Sequence, residues 1–326
     1  MTRGEDSYKK TTIDIIVPCY NEEENIDAFY AAVQEVVEAI PGYDFSYIFI
    51  DDGSSDKTLE AIKKLVAGKE KPEIKYISFS RNFGKEAAMY AGLKQSSIRG
   101  SDYAVLIDAD LQHPPQLIRE MIDIIEETGC DSCAARRVSR KGEPKIRSFF
   151  ARVFYKIMNR FSEIEIVDGA VDYRMMDRKM VKAIVDMPES QRFSKGIFSW
   201  VGFDTRWIEF ENIKRLSGES KWNVWSLTRY AISGFVDFAE APLKFMGFMG
   251  GVITLGAGIY LIAELIKTGI FGKDVPGYES IICLVLFFGG LLVAIMSVIG
   301  QYIGRMYVET KRRPIYVEKE SNTDEE

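Results

Sequence analysis

Two kinds of hydrophobic pattern alternate along the first half of the chain. Short runs of β-branched and aromatic residues predict buried strands at residues 13–18, 47–50, 74–79 and 132–136, and in a run that starts at residue 103. Between them, apolar residues at helical spacing predict helices that end near residues 40 and 66 and that cover residues 86–97 and 116–128. This alternation predicts an α/β domain with a doubly wound, mostly parallel sheet.

The pattern changes near residue 242, after which the chain is mostly apolar to about residue 307. Residues 243–266 and 280–302 are each long enough to cross a bilayer, which takes about 20 apolar residues. Buried core helices are the alternative interpretation. Two such runs close together after a complete α/β domain favour a hairpin of two transmembrane helices.

Basic residues flank this hairpin on one side only, at Arg229, Lys244, Arg305, Lys311, Arg312 and Arg313. The positive-inside rule therefore predicts a multi-pass cell-membrane protein whose large domain and both termini are cytoplasmic. The predicted units are a domain at residues 1–228, an interfacial linker helix at 229–242, two membrane helices within 243–304 and a tail at 305–326. The acidic end of the tail, from Glu318 onward, is predicted to be disordered.

Two segments combine aromatic and basic residues at helical spacing, at residues 145–161 and 222–245. They predict amphipathic helices that lie in the lipid headgroup layer, with packing against the domain core as the alternative. The polar first ten residues have no signal-peptide pattern. The net charge of −6 argues against nucleic acid as a partner. Cys130 and Cys133 lack a second ligand pair and are interpreted as core residues rather than a zinc or redox site.

The predicted strand ends carry the candidate chemistry. Asp108 and Asp110 follow a strand and alternate onto one side of it, and Gln112 joins them if the chain stays extended. Two carboxylates and an amide oxygen suit Mg²⁺ or Mn²⁺, whereas the alternative is a solvated aspartate-rich turn. Asn21 with Glu22 and Asp51 with Asp52 follow two other strands, and such ends meet in one crevice. A crevice this acidic is suited to a metal–diphosphate with a sugar and a base.

Several motifs together resemble the inverting glycosyltransferases of family 2, which have the GT-A fold. They are Val17-Pro18-x-Tyr20-Asn21-Glu22-Glu23-x-Asn25, Asp51-Asp52-Gly53-Ser54-x-Asp56, Arg81-Asn82-x-Gly84-Lys85, Asp108-Ala109-Asp110-Leu111-Gln112, Asp172-Tyr173-Arg174 and Arg215-x-x-Gly218-Glu219-Ser220-Lys221. With the two apolar helices that follow, the chain is similar to the polyisoprenyl-phosphate glycosyltransferases, which include bactoprenol glucosyltransferases and dolichyl-phosphate mannose synthases.

The resemblance implies a role for each matching position. Asp108, Asp110 and Gln112 would hold the metal on the donor diphosphate, and Asp110 and Asp172 would organise the catalytic centre. Arg136 and Arg147 would take the acceptor phosphate. The nucleotide sugar would contact Pro18, Tyr20, Asn21, Glu22, Asp51, Asp52, Lys85, Asp108, Arg215 and Lys221. Two departures from the family pattern are His113, where many relatives have Asp, and Ala151, where some mannose synthases have Ser.

The resemblance implies transfer of one sugar from a nucleotide sugar to a membrane polyprenyl phosphate, such as undecaprenyl phosphate, with inversion. The product would serve cell-surface glycan modification. UDP-glucose is the expected donor, and UDP-N-acetylglucosamine and GDP-mannose stay open. A flippase partner and a homo-oligomer are both compatible with this activity. The rival interpretation is a catalytically silent membrane scaffold that keeps the GT-A fold.

Overall fold

The computed structural model describes residues 10–68, 71–138, 167–187, 189–190, 192–211 and 277–323, with scattered helical positions between 250 and 270. Its strands are β1 (Thr11–Cys19), β2 (Tyr43–Asp51), β3 (Glu73–Phe79), β4 (Tyr103–Leu106), β5 (Ser132–Arg137), β6 (Ala170–Asp177), β7 (Thr205–Phe210) and β8 (Glu318–Ser321). Its helices are α1 (Ile26–Glu38), α2 (Thr58–Ala67), α3 (Lys85–Arg99), α4 (Leu117–Thr128), α5 (Arg178–Val185), α6 (Ser194–Trp200) and α7 (Tyr278–Thr310).

The strands form one eight-stranded sheet in the order β7-β5-β6-β4-β1-β2-β3-β8. Strands β4, β1, β2 and β3 are parallel neighbours, and each is followed by a helix. One layer of buried side chains lies between the sheet and helices α1, α2 and α4, and a second between the sheet and helices α3, α5 and α6. The five strands and four helices predicted in this half are confirmed, with ends that shift by a few residues.

The prediction of a mostly parallel sheet is wrong for the rest of the strands, because the sheet is mixed. Strand β6 lies between β4 and β5 and is antiparallel to both, while β7 is parallel to β5. The register pairs Leu106 of β4 with Arg174 of β6. Two residues further on, Asp108 and Asp172 come opposite each other. The antiparallel strand therefore delivers a second carboxylate to the end of β4.

The predicted disorder of the acidic tail is wrong for its first part. Residues 318–321 form β8, which pairs antiparallel with β3 at the edge of the sheet. Lys63 pairs with Glu320 at 2.6 Å, and Asn322 accepts from the Tyr76 N–H at 2.6 Å. An edge strand needs only one buried face and tolerates charges on the other. The acidic composition is thus compatible with a strand.

Helix α7 covers the second predicted membrane span. Within it, the 24-residue segment Phe287–Thr310 is long and apolar enough to cross a bilayer, and its apolar side chains are exposed. The first predicted span and both amphipathic segments lie largely outside the described residues. The few described positions between 250 and 270 are helical.

Candidate active site

The loops after β1 and β2 are joined at the carboxyl edge of the sheet. Asn21, in the left-handed conformation with φ 53°, donates its N–H to Ser54 Oγ at 3.0 Å. Its side-chain oxygen accepts from the Ser55 N–H at 2.8 Å. The Glu22 N–H is bound by Thr58 Oγ1, and the Glu22 carboxylate accepts from Asn25 Nδ2. Asn21 and Glu22 therefore organise these loops.

Tyr20 and Pro18 have the exposure that a surface contacting a nucleotide requires, and Asp51 does not. Tyr20 is 37% exposed and Pro18 is partly buried, whereas Asp51 is 2% exposed. The Asp51 carboxylate accepts from Ser78 Oγ at 2.7 Å and from the Ser54 N–H at 3.0 Å. A carboxylate has further lone pairs, but both oxygens of Asp51 already hold the protein together.

Asp52 is buried and fixes the loop of residues 81–85. Its carboxylate accepts from the Phe83 N–H at 2.6 Å and from the Gly84 N–H at 2.9 Å. Burial raises the pKa of Asp52 to about 6, with these two backbone hydrogen bonds acting against the increase. Gly53, at φ +63°, lies so close to the Arg81 backbone that a side chain there would collide with it. The described contacts of Asp52 thus serve to place Lys85.

Lys85, the first residue of α3, joins the two strands that bring the carboxylates together. Its Nζ atom lies 2.7 Å from Asp108 Oδ1 and 2.8 Å from Asp172 Oδ2. The Lys85 side chain is 39% exposed, and the carboxylates are 27% and 19% exposed. The cluster is therefore reachable from solvent while held by the protein on the other sides.

The charges in this cluster stabilise one another. Burial alone would lower the pKa of Lys85, but the charges of Asp108 and Asp172 outweigh it and raise that pKa. Burial would raise the pKa of Asp172, but the charges of Lys85, Lys195 and Arg174 hold it well below its ordinary value. A carboxylate that binds protons so weakly is a poor general base. Asp172 is thus suited to organise cations.

Asp110 and Gln112 lie in a tight turn just after this cluster. Asp110 Oδ1 accepts from the Gln112 N–H at 3.1 Å, and Leu111 between them has φ 53°. His113 is buried against Tyr173, and its Nδ1 lies 3.9 Å from Asp108 Oδ2. Burial lowers the pKa of His113 and so favours the neutral ring.

The side chains at this turn are of the types that bind a divalent cation, although Leu111 breaks the extended chain that was expected to place Gln112 beside Asp108 and Asp110. Asp108 already binds a positive charge, the Lys85 ammonium group. Asp108 and Asp110 supply carboxylates and Gln112 an amide oxygen, the ligand types that Mg²⁺ and Mn²⁺ prefer. Within the described part of the chain, no group of three or more His, Cys, Asp or Glu side chains could hold a metal ion by itself. A cation here would need further oxygen ligands from a bound diphosphate.

Three residues close to this cluster received no role from the sequence. Arg174 is buried on β6, with its guanidinium 3.8 Å from the Phe198 ring centroid. Lys195 adds a positive charge that acts on Asp172. Glu86, beside Lys85, accepts the Ser194 N–H at 2.9 Å. The Asp172-Tyr173-Arg174 motif was a signal for Arg174, whereas nothing in the pattern around Lys195 pointed to the site.

Arg136 lies at the end of β5, on the other side of β6. Its Nε donates to the Asp168 carbonyl oxygen at 3.1 Å, and its Nη1 lies 3.9 Å from Glu209 Oε1. The side chain is 41% exposed and its ion pair with Glu209 is long, so its charge is accessible. Arg147, Arg215 and Lys221 lie outside the described residues.

The chain thus has a mixed α/β sheet of the GT-A-like type, whose strand ends gather carboxylates around a lysine. The family profile described as "Glycosyl transferase family 2" matches residues 14–185. The chain belongs to this family and is a glycosyltransferase.

Relatives match almost the whole chain. The Bacillus subtilis (strain 168) protein CsbB, which is named as a candidate glycosyltransferase, is 43% identical over 96% of this chain and 93% of its own. The prophage bactoprenol glucosyl transferase homolog of Escherichia coli (strain K12) is 38% identical over 94% of this chain and 98% of its own. The SfII prophage-derived bactoprenol glucosyl transferase of Shigella flexneri is 38% identical over 95% and 98%.

Proposed function

We propose that this enzyme transfers one glucosyl residue from UDP-glucose to a polyprenyl phosphate, such as undecaprenyl phosphate, with inversion at the anomeric carbon. The observation that carries the proposal is the match to bactoprenol glucosyl transferases, which extends over at least 94% of the chain and thus includes α7. The accessible Lys85–Asp108–Asp172 cluster supplies charged groups for a diphosphate donor.

The donor site is proposed at the carboxyl ends of β1, β2 and β4. Tyr20 and Pro18 would contact the base, and Asp51 would hold the loop after β2 in place behind them through Ser54 and Ser78. Lys85 would meet the diphosphate together with Arg215 and Lys221 from the later loop. Lys195 and Arg174 add positive charge on the same side, where the leaving UDP develops negative charge.

Asp108, Asp110 and Gln112 are proposed to hold Mg²⁺ or Mn²⁺ with the donor diphosphate. When bound, the cation would supply Lewis-acid stabilisation of the leaving diphosphate. Two carboxylates plus substrate phosphate oxygens are a common ligand set for Mg²⁺. Asp172 would keep Lys85 oriented and ionised at the edge of this set.

The acceptor needs orientation more than deprotonation. A phosphate monoester is mostly dianionic at neutral pH because its second pKa is about 6. One of its oxygens forms a bond to the anomeric carbon while the bond from that carbon to the diphosphate oxygen breaks, and UDP leaves with the electron pair. Arg136 and Arg147 would hold the dianion for in-line attack. The low pKa of Asp172 agrees with a reaction that requires no general base.

The topology proposed is a two-helix hairpin with the catalytic domain and both termini in the cytoplasm. Strand β8 follows α7 in the chain but pairs with β3, which precedes α7. If α7 crosses the bilayer once, the chain must cross it a second time between residue 211 and α7. The apolar residues 243–266 lie in that interval, and the amphipathic segments at 145–161 and 222–245 would rest in the headgroup layer.

The test is UDP release by the purified full-length protein with UDP-glucose, Mg²⁺ or Mn²⁺ and undecaprenyl phosphate. UDP-N-acetylglucosamine and GDP-mannose serve as the competing donors. UDP release that depends on the acceptor and is fastest with UDP-glucose is expected. A preference for another donor would change the sugar alone, and no release with any donor would favour the catalytically silent scaffold, which would act by recruiting a flippase.

A further inference from the structure

The chain from the last turn of α7 onward, residues 309–322, contacts the catalytic domain at two places near Lys85. At the first, the Tyr316 ring stacks on the Phe79 ring, with centroids 4.7 Å apart and planes 18° from parallel. The Ser80 N–H also donates to the Val317 carbonyl oxygen at 2.9 Å. Phe79 is the last residue of β3. The contact therefore lies where β3 leads into the loop of residues 81–85.

The Phe79 side chain connects Tyr316 with the loop of residues 81–85. The Phe83 ring packs edge-on against Phe79, with centroids 5.8 Å apart. The Phe83 N–H in turn donates to the buried carboxylate of Asp52 at 2.6 Å. Lys85 follows two residues later. Tyr316 is thus the outermost of a series of packed side chains that leads to Lys85.

The second contact leads to Glu86, which is the residue after Lys85 in α3. The Glu309 carboxylate accepts from the Ser190 N–H and from Ser190 Oγ, each at 3.0 Å. The segment after Ser190 leads into α6, whose Ser194 donates its N–H to Glu86 at 2.9 Å. Glu86 follows Lys85 in the first turn of α3. Both contacts therefore act on that first turn.

From these contacts we infer that residues 309–322 are a positioning element for Lys85, which they hold between Asp108 and Asp172 through Tyr316 and Glu309. The catalytic consequence rests on the proposed function, whereas the positioning of Lys85 does not. The alternative is that β8 only closes the sheet edge. The side-chain hydrogen bonds of Asn322, which accepts from the Tyr76 N–H and donates to the Ile74 carbonyl oxygen, lie toward the opposite end of β3 from Lys85.

The reactivity of Lys85 toward an amine-selective reagent separates these alternatives. An ammonium group bridged by two carboxylates reacts slowly, because only the neutral amine is nucleophilic. Labelling of the full-length protein in detergent, read by mass spectrometry, compares Lys85 with the exposed Lys182 of α5. Tyr316→Ala should raise the labelling rate of Lys85 severalfold and leave that of Lys182 unchanged. Tyr316→Phe keeps the stacked ring and should behave as the parent.

Lys63 reports whether the segment has detached, because it pairs with Glu320 of β8. Faster labelling of Lys63 with unchanged Lys85 would overturn the inference. Tyr316→Asp places a charge against Phe79 and forces separation if Tyr316→Ala does not. If Tyr316→Ala and Tyr316→Asp both fail to fold, Glu309→Ala removes both acceptor oxygens of the second contact, and unchanged Lys85 labelling in that variant would overturn the inference.

Asn322→Ala is the matched structural control, since it removes two hydrogen bonds of the same segment far from Lys85. An equal rise of Lys85 labelling in this variant would overturn the inference that Tyr316 positions Lys85. The faster labelling would then result from loss of pairing at the sheet edge. In turnover assays, Tyr316→Ala should raise the donor KM severalfold and leave the acceptor KM unchanged. Labelling requires neither substrate, so a failure of the proposed function is distinguishable from a failure of this inference.

Discussion

Lys85 on α3 and Asp172 on β6 form an ion pair with 2.8 Å between Nζ and Oδ2. The two residues are 87 positions apart in the chain, and the pair exists because β6 enters the sheet antiparallel beside β4. Asp108 completes the arrangement at 2.7 Å from the same ammonium group. One lysine thus connects the first half of the domain with the strand that sequence periodicity did not predict.

Replacing Lys85 by Gln should lower turnover by about 100-fold, a typical effect of removing one group that stabilises transition-state charge. The variant also leaves two facing carboxylates without their shared cation. Lys182→Gln, on the exposed face of α5, is the control and should keep parental turnover. UDP release at saturating substrates measures the effect. Turnover of Lys85→Gln within twofold of the parent would exclude the site built here.

Asp110→Asn should abolish most UDP release while the melting temperature changes little, because the side chain keeps its shape but loses its charge. An excess of chelator should do the same to the parent, and added Mg²⁺ or Mn²⁺ should restore activity. Asp123→Asn is the control, since Asp123 is an exposed residue of α4 that pairs with Arg119 one turn earlier. Full activity of the parent in excess chelator would disprove an obligatory metal.

Asp52 should make stability depend on pH. Its pKa is about 6 in the folded protein, above the ordinary 3.8. Between these values the folded protein holds a proton that the unfolded chain has released, so its stability falls as the pH rises. Asp52→Asn has no such titration. From pH 4 to 7 the free energy of unfolding should shift in favour of the variant by about 3 kcal/mol at most.

Thermal melts of the parent and Asp52→Asn across this pH range measure that shift. Asp123→Asn serves again as the control, because its carboxylate is exposed and its difference from the parent should stay nearly constant. A difference between Asp52→Asn and the parent that does not change with pH would contradict the raised pKa.

Arg136→Ala should raise the concentration of polyprenyl phosphate required for half-maximal rate by about ten- to a hundredfold, the loss expected for one charge-assisted hydrogen bond. The donor KM should stay near its parental value. Arg206→Ala on neighbouring β7 is the matched control, since Arg206 is similarly exposed and pairs with Asp204. Arg147→Ala should resemble Arg136→Ala, and Arg215→Ala should instead affect the donor. Unchanged acceptor use by Arg136→Ala would remove that residue from the acceptor site.

A reporter attached to the C-terminus should be protected from protease added outside intact cells, because β8 pairs with the same sheet as the catalytic strands. A reporter inserted in the predicted loop at residues 267–279 should be cleaved, and this second position is the internal control. Cleavage at the C-terminus would contradict the proposed hairpin.

The sequence predicted the parts of the fold whose signals are local. Strands β1 to β5 and helices α1 to α4 have clear apolar periodicity, and the sites at the ends of β1, β2 and β4 follow from their order. Hydrophobic periodicity did not predict strand β6, because Asp172 and Arg174 occupy one of its faces. Charges at such positions are stable only beside Lys85 and Phe198, which lie far away in the chain.

The C-terminal tail shows where composition alone misleads a prediction from sequence. Its acidic residues resemble a disordered terminus, whereas the preceding Ile315 and Tyr316 pack against the core. That short apolar run was the available signal, and composition obscured it. The roles of Asn21 and Asp52 were also beyond prediction, because their hydrogen bonds depend on how two loops meet.

Strand β8 also sets the order in which the protein can be completed during synthesis. It is the last described strand to leave the ribosome, and until then β3 is an open sheet edge of the kind that pairs with other chains. If α7 is inserted in the bilayer first, the sheet closes only after the membrane step. A newly made chain delayed before insertion would then expose β3 to aggregation and to quality-control proteases.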